Sequence, residues 1–551
     1  MKIALAQLNY HIGNFESNSE KIKATLKKAE KLGVDLVVFS ELSVCGYSPI
    51  DLLEQHDFIL RCEQALQNIA KQCINIAAII GAPVINPAPK GKKLYNAACL
   101  LADGKVLEKR YKTLLPTYDI FDEYRYFEPN DSFNIVEYKG EKIALTICED
   151  LWAKQPSAYV SAKGALYKSA PMDELIKQNP DYIINIAASP FSYNQGKVRT
   201  QVLVENAIKY QVPVVYVNQM GANNELIFDG DSMVINSKGA IVNRLSVFTE
   251  DFVVIDSRDL LKSEIKPIST TEPNYIALIK DALVLGVKDY FSKVGFKTAT
   301  LGLSGGIDSA VTLALAAEAL GAENLRVLLM PSKYSSDHSI KDAEDLAINL
   351  GVKYEIISIQ PIVDSFEKGL QEQFEGLTSN ITEENIQART RGVLLMALSN
   401  KFGNILLNTS NKSEAAVGYG TLYGDMNGGL SVLGDVYKTD VFKLAHFINR
   451  DHEIIPVNTI VKPPSAELRP DQKDSDSLPE YELLDAILFQ YIEQKLSASE
   501  IIAQGFDEAV VNKVLRLVNM NEYKRFQAPP ILRVSSKAFG LGRRMPLVAR
   551  Y

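Results

Sequence analysis

Leu303-Ser304-Gly305-Gly306-Ile307-Asp308-Ser309-Ala310 follows the apolar run Thr298-Ala-Thr-Leu-Gly-Leu303 and leads into an Ala- and Leu-rich run at 310–320. The pattern predicts a strand, a tight turn and the N-terminus of a helix. At such a junction free backbone N–H groups and the positive end of the helix dipole point at one spot. Paired glycines admit close backbone approach and two serines add hydroxyl donors, a chemistry that suits phosphate or pyrophosphate. The stretch lacks the Lys of a Walker A loop, so that phosphate cradle is excluded. A strand at 326–330, a helix at 337–350 and a strand at 354–358 continue the rhythm. This predicts a doubly wound, Rossmann-like parallel sheet with ligands at the C-terminal ends of its strands. The segment Ser332-Lys-Tyr-Ser-Ser336 after the second strand would grip an adenine or ribose.

Ser304–Ser309 resembles the pyrophosphate-binding loop of the ATP pyrophosphatases, which adenylate a substrate before an amine attacks it. Further along, Asn385-Ile-Gln-Ala-Arg389 opens a predicted helix, and a strand at 405–409 leads into Ser410-Asn-Lys-Ser-Glu414. With Tyr423-Gly-Asp425 added, the C-terminal half resembles the NAD synthetase domain. That resemblance implies ATP binding by Leu303, Ser304, Gly305, Gly306, Ile307, Asp308, Ser309 and Thr409. It implies contacts to deamido-NAD⁺ from Asn385, Glu414 and, in Asn521-Glu-Tyr-Lys524, Lys524. Asp308 and Glu414 would hold Mg²⁺ at the triphosphate, carboxylates being suited to that hard cation. The Pro-bounded polar stretch 463–479 reads either as a disordered surface loop or as a lid closing over ATP.

In the N-terminal half, strands are expected at 3–8, 35–39, 76–80, 97–101, 142–147, 182–186 and 214–217, with helices at 16–32 and 54–72. This is an α/β pattern of sheet layers covered by helices. Glu41, Lys112 and Cys148 stand at or near the ends of apolar runs. Their order and flanks, Ser40-Glu41-Leu42, Lys112 with Leu115-Pro116, and Cys148-Glu149-Asp150-Leu151-Trp152, resemble the catalytic triad of the nitrilase (carbon–nitrogen hydrolase) superfamily. The resemblance implies an αββα sandwich and an amide-hydrolysing site. A cysteine nucleophile needs a base or cation nearby to react at neutral pH. Glu41 is then the proton acceptor for Cys148, and Lys112 stabilises the oxyanion of the tetrahedral intermediate. The same resemblance implies that Tyr118, Glu123, Ser189 and Lys197 bind glutamine, with Glu123 addressing its amino group.

The bulk properties set limits. A chain of 551 residues holds two or more domains, expected at 1–256 and 274–551 with a polar, Pro-punctuated linker at 257–273. A net charge of −8 argues against non-specific nucleic-acid binding and offers no basic membrane face. No run approaches a membrane span and no signal peptide is expected. Five cysteines without metal spacing suit a reducing cytoplasm. With Lys2 after the first Met, a glutaminase using an N-terminal cysteine is not expected. The combined reading is an amidotransferase-ligase acting on glutamine, ATP and deamido-NAD⁺, with an enclosed passage for ammonia, and the resemblance implies a homo-oligomer. Another ATP-pyrophosphatase amidotransferase, such as a GMP or asparagine synthetase, and a non-catalytic nucleotide-binding protein remain as alternatives.

Overall fold

The computed structural model describes residues 1–154, 166–260, 268, 274–470 and 472–549. The chain divides into two compact units, Met1–Glu272 and Pro273–Tyr551. Of the expected linker, Ser257–Leu260 forms one helical turn. Residues 261–267 and 269–273 lie outside the described residues.

The first unit contains β1 (Lys2–Gln7), β2 (Leu36–Val38), β3 (Ala77–Ile85), β4 (Leu94–Ala102), β5 (Lys105–Tyr111), β6 (Val136–Tyr138) and β7 (Glu141–Ile147). It continues with β8 (Tyr182–Ala187), β9 (Val214–Asn218), β10 (Met220–Asn223), β11 (Leu226–Asp229), β12 (Met233–Ile235), β13 (Ile241–Arg244) and β14 (Asp251–Asp256). These build two six-stranded sheets, β14-β1-β2-β3-β4-β5 and β13-β12-β9-β8-β7-β6, and a small β10-β11 hairpin.

Strand alternation decides which core each side chain joins. Ile3 and Leu5 of β1 pack with Ile143 and Ile183 of the second sheet. Ala4 and Ala6 face the other way, into a core with Ile22 and Leu26 of helix Phe15–Lys31 and Leu66 of helix His56–Ala70. Two sheets share one core and helices cover the outside, which is the expected αββα sandwich. The sequence reading passed over β5 because Lys105, Glu108, Lys109 and Arg110 break its apolar pattern. That strand lies at a sheet edge, where charged residues guard against further pairing.

The second unit holds β15 (Ala299–Gly302), β16 (Leu325–Leu329), β17 (Lys353–Ile356), β18 (Ile405–Asn408) and β19 (Leu430–Ser431). Their order is β17-β16-β15-β18-β19 and every pairing is parallel. The order reverses beside β15, so the loop leaving β15 lies at the switch point where doubly wound sheets bind ligands.

Several boundaries shift by a few residues from expectation, and one of these shifts bears on the site. The helix carrying Asn385 opens four residues earlier and spans Ile381–Phe402. Asn380 accepts from Thr382 N at 2.8 Å and Glu383 reaches back to Asn380 N at 2.7 Å. This reciprocal cap satisfies two of the otherwise orphaned N–H groups and fixes the start.

Two candidate active sites

Glu41, Lys112 and Cys148 meet at the C-terminal ends of strands in the sandwich. Glu41 follows β2 on a turn that lies directly over β3. A Cβ at Gly81 would come within 2.3 Å of Leu42 N and 2.7 Å of the Glu41 carbonyl carbon, so only glycine admits that turn. Lys112 follows β5 and its N–H donates to Asn96 O of β4 at 2.9 Å. Cys148 follows β7 with φ at +41°, a left-handed conformation that non-glycine residues avoid and that functional sites tolerate. The next residues form a short 3₁₀ turn, Cys148–Leu151. Asp150 fixes this elbow by accepting from Ile147 N at 3.0 Å and from Thr113 N and Leu114 N at 2.9 Å each. One carboxylate thus ties the nucleophile's turn to the segment carrying Lys112.

The Lys112 ammonium donates to Glu41 Oε1 and to Glu123 Oε1, both at 2.8 Å. Asn96 Nδ2 donates to Glu41 Oε1 at 2.7 Å, and Ala188 N donates to Glu41 Oε2 at 3.0 Å. Tyr47 OH donates to Glu123 Oε1 at 2.9 Å. Burial pulls the Lys112 ammonium down, but the charges of Glu123 and Glu41 more than offset this and hold it well above its ordinary range. Burial pushes the Glu123 carboxyl up to about 7 against the pull of Lys112.

The Cys148 side chain is 7% exposed and its thiol is held well above its ordinary range. Burial is the main cause; Glu41 adds to it and Lys112 opposes it. The nucleophile therefore rests as a neutral thiol.

The Glu123 carboxylate is buried and accepts from Lys112 and Tyr47, which joins it to the cluster around Glu41 and Lys112. The carboxylate beside the nucleophile is Glu149, which accepts from Tyr118 OH at 3.0 Å and from Tyr167 OH at 2.8 Å. Burial raises Glu149 to about 7. Tyr118 also packs edge-on against Phe121 with centroids 5.4 Å apart. Ser189 is buried and its N–H donates to Asn218 Oδ1 at 2.8 Å. Lys197 is exposed in the first turn of helix Gln195–Tyr210.

In the second unit, Leu303 N donates to Leu328 O at 3.0 Å, fastening the turn after β15 to β16. Gly305 has φ at +78°, and a Cβ there would sit 2.2 Å from Ser339 O. Both conformation and space therefore require glycine. Ser304 and Ser309 interlock, with their Oγ atoms 3.2 Å apart, while Ser309 Oγ donates to Gly306 O at 3.0 Å. Gly306 caps helix Ile307–Leu320, whose first N–H groups have no intrahelical acceptor.

Asp308 and Glu414 converge, and between them lies Lys438, which the sequence reading did not single out. Its ammonium donates to Asp308 Oδ2 at 2.5 Å and to Glu414 Oε1 at 3.3 Å. Asn411 Nδ2 donates to Asp308 Oδ1 at 2.8 Å. Burial first, then the Asp308 charge, pushes the Glu414 carboxyl up to about 8 despite Lys438. Among the described residues no group of three or more His, Cys, Asp or Glu side chains gathers as for a metal ion. Two oxygen donors suit a hard divalent cation that keeps waters and substrate phosphates as its other ligands.

Thr409 directly follows β18. Asn385 Oδ1 accepts from Thr421 Oγ1 at 2.8 Å, joining the helix to the 421–425 turn. Lys524 spends its ammonium on Gly418 O and Gly420 O, each at 2.8 Å, so here it fixes that turn's approach. The described part of stretch 463–479 is docked. Glu467 accepts from the Ser336 and Ser339 hydroxyls at 2.7 Å, and Asp474 accepts from Tyr419 OH at 3.0 Å and Tyr481 OH at 2.8 Å.

A carbon–nitrogen hydrolase family model matches residues 2–263, and an NAD synthase family model matches residues 279–528. Fold and sites thus define a carbon–nitrogen hydrolase domain followed by an NAD synthase domain. A glutamine-dependent NAD(+) synthetase from Synechocystis sp. is 46% identical over 560 residues, covering 100% of this chain and 99% of that protein. One from Acinetobacter baylyi is 44% identical over 550 residues, covering 99% and 98%. The solved structure of the Acinetobacter baumannii glutamine-dependent NAD⁺ synthetase in complex with ADP superposes with a TM-score of 0.78 at 41% identity, over 99% of this chain and 98% of that one. The chain belongs to the glutamine-dependent NAD(+) synthetase family.

Proposed function

We propose that this chain is a ligase that hydrolyses glutamine at Cys148 and uses the ammonia to amidate deamido-NAD⁺ to NAD⁺, with ATP converted to AMP and pyrophosphate. The observation that carries the reading is the pair of built sites in one polypeptide, a buried Cys-Glu-Lys cluster and a glycine turn at the switch point of a parallel sheet.

In the first site Glu41 takes the proton from the neutral Cys148 thiol as sulfur attacks the amide carbon. The proton passes to the leaving ammonia, a thioester forms, and water then hydrolyses it with Glu41 as base. Lys112 stabilises the oxyanion and fixes the position of the Glu41 carboxylate by donating to Oε1. The Glu149 carboxylate, ringed by Tyr118 and Tyr167, balances the substrate's ammonium, while Ser189 and Lys197 serve the glutamine side of the site.

In the second site Leu303, Ser304, Gly305, Gly306, Ile307, Asp308, Ser309 and Thr409 hold ATP. Lys438 sets its charge against the same phosphates. Asp308 and Glu414 would hold Mg²⁺, which would neutralise phosphate charge when bound. Asn385, Glu414 and Lys524 face deamido-NAD⁺. Activation is required because ammonia cannot expel oxide from a free carboxylate. We further assign residues 1–256 to the glutaminase and 274–551 to the synthetase, and propose a cytoplasmic homo-oligomer; no described helix is long and apolar enough to cross a membrane.

Incubation with glutamine, ATP and either deamido-NAD⁺ or xanthosine monophosphate tests the reading. Pyrophosphate release only with deamido-NAD⁺ is expected. Release with the purine nucleotide instead would replace it with a different amidotransferase, and release with neither would leave a binding protein.

A further inference from the structure

Arg391 lies in helix Ile381–Phe402, which packs on β15 and β18 of the parallel sheet. Leu395, one turn later, meets the end of β15: a Cβ on Gly302 would lie 3.3 Å from its Cδ1 and 3.1 Å from Met330 Cε. Arg391 is therefore beyond the strand ends, on the side where doubly wound sheets take their ligands. Its Nε donates to Met330 O at 3.1 Å, just past the end of β16. Among the described residues that is the guanidinium's one hydrogen bond, and no carboxylate lies within ion-pair distance. Its neighbour Arg389 is exposed and satisfied differently, donating to Leu422 O at 3.2 Å.

Burial pulls Arg391 down to about 10, and the more distant charges of Asp425 and Glu467 only partly offset this. Arg391 is part-buried, and its two terminal NH₂ groups make no hydrogen bond among the described residues, so the fork stays open to an incoming anion. Planar forked donors match phosphate oxygens. The position selects which phosphate. The glycine turn after β15 suits the β- and γ-phosphates, and the segment after β16 suits the nucleoside. Arg391, fixed to the residue following β16, falls between the two.

We propose that Arg391 holds the α-phosphate of ATP and stabilises the charge that builds there during adenylation. This deepens the adenylating-ligase reading and rests on it. In the step, a carboxylate oxygen of deamido-NAD⁺ bonds to the α-phosphorus. The bond from that phosphorus to the bridging oxygen breaks, and pyrophosphate leaves with the electron pair. No proton or redox partner is needed. Negative charge concentrates on the non-bridging α-oxygens as the step proceeds, so two fixed N–H donors act more strongly in the transition state than before it.

The test uses the full chain with ammonia as nitrogen source and reads pyrophosphate release. Arg391→Ala is expected to lower the rate by about 10²–10³-fold, the usual cost of removing an oxyanion donor. Arg391→Lys, which keeps the charge but not the fork, recovers part of it. The decisive readout uses ATP carrying sulfur at the α-phosphorus in either configuration. The parent prefers one diastereomer and Arg391→Ala loses that preference. A slower variant that keeps the preference would make Arg391 merely structural, and an unchanged rate would remove it from the site; either overturns the proposal. A parent chain that releases no pyrophosphate with deamido-NAD⁺ would instead sink the ligase reading itself.

Discussion

Each half of the molecule places a lysine between two carboxylates, and the two clusters are built for opposite purposes. Around Lys112 the side chains are sealed, with Glu41 1% and Glu123 6% exposed. Every charge there has a fixed partner: Asn96, Tyr47 and the Ala188 N–H complete the carboxylates. Around Lys438 the carboxylates remain partly open, with Asp308 17% and Glu414 15% exposed. Burial, and after it the Asp308 charge, raises Glu414 to about 8 although Lys438 opposes both. The first cluster is closed and fully partnered, so small changes would break it. The second is a partly open ion pair that phosphate and cation could reach. Pre-organisation suits a site whose reacting groups all belong to the protein, and incompletion suits one that must admit a triphosphate.

The sharpest way to break this comparison is to disable each half alone. Cys148→Ala is expected to abolish glutamine-dependent NAD⁺ formation, by about 10⁴-fold or more, while ammonia-dependent formation persists. Gly305→Ala should do the reverse to the ligase, because a Cβ 2.2 Å from Ser339 O forces the turn open. Loss of both activities in Cys148→Ala would contradict the division of labour.

Stability separates the two lysines next. Lys112→Ala leaves two buried carboxylates facing each other and is expected to cost about 3–5 kcal/mol in denaturant unfolding of its unit. Lys438→Ala should cost less, about 1–2 kcal/mol, because water and counter-ions reach its partners. Equal losses would show that the two clusters are built alike.

The smallest expected effect is on pH dependence. Glu149 is raised to about 7, so it is neutral below that pH and a carboxylate above it. Binding of the glutamine ammonium should therefore strengthen from about pH 6 to about pH 8, and kcat/KM for glutamine hydrolysis should rise with it. The corresponding contribution to folding runs the other way. A carboxyl raised in the folded state stabilises below its unfolded value of 4.5, and that stability is lost as pH rises through about 7. Glu149→Gln should flatten the kinetic rise; an unchanged profile would remove Glu149 from the binding step.

Much of this was legible in one dimension. The glycine turn announced itself because its residue types are dictated locally: a left-handed φ, a close backbone approach and a helix start all fall within eight residues. The triad was legible through its flanks, and β1 and β8 through apolar runs. What escaped had no local signature. Lys438 follows Tyr437 in an ordinary amphipathic stretch, and only the fold carries it from one helix start to the carboxylates of two others. Nothing in Phe121-Asp-Glu123 reveals that Lys112 will reach the Glu123 carboxylate.

The sequence by itself determined the two units' classes and pointed to Cys148 and the glycine turn as candidates, because each is written in contiguous residues whose backbone needs are local. Only the tertiary structure decided which charges meet: that Lys112 is shared by two glutamates, that burial holds the Cys148 thiol well above its ordinary range, and that the Arg391 guanidinium stands at a strand end with no carboxylate in ion-pair reach. Those outcomes depend on burial and on distances between segments far apart in the chain, and no spacing along the sequence encodes either.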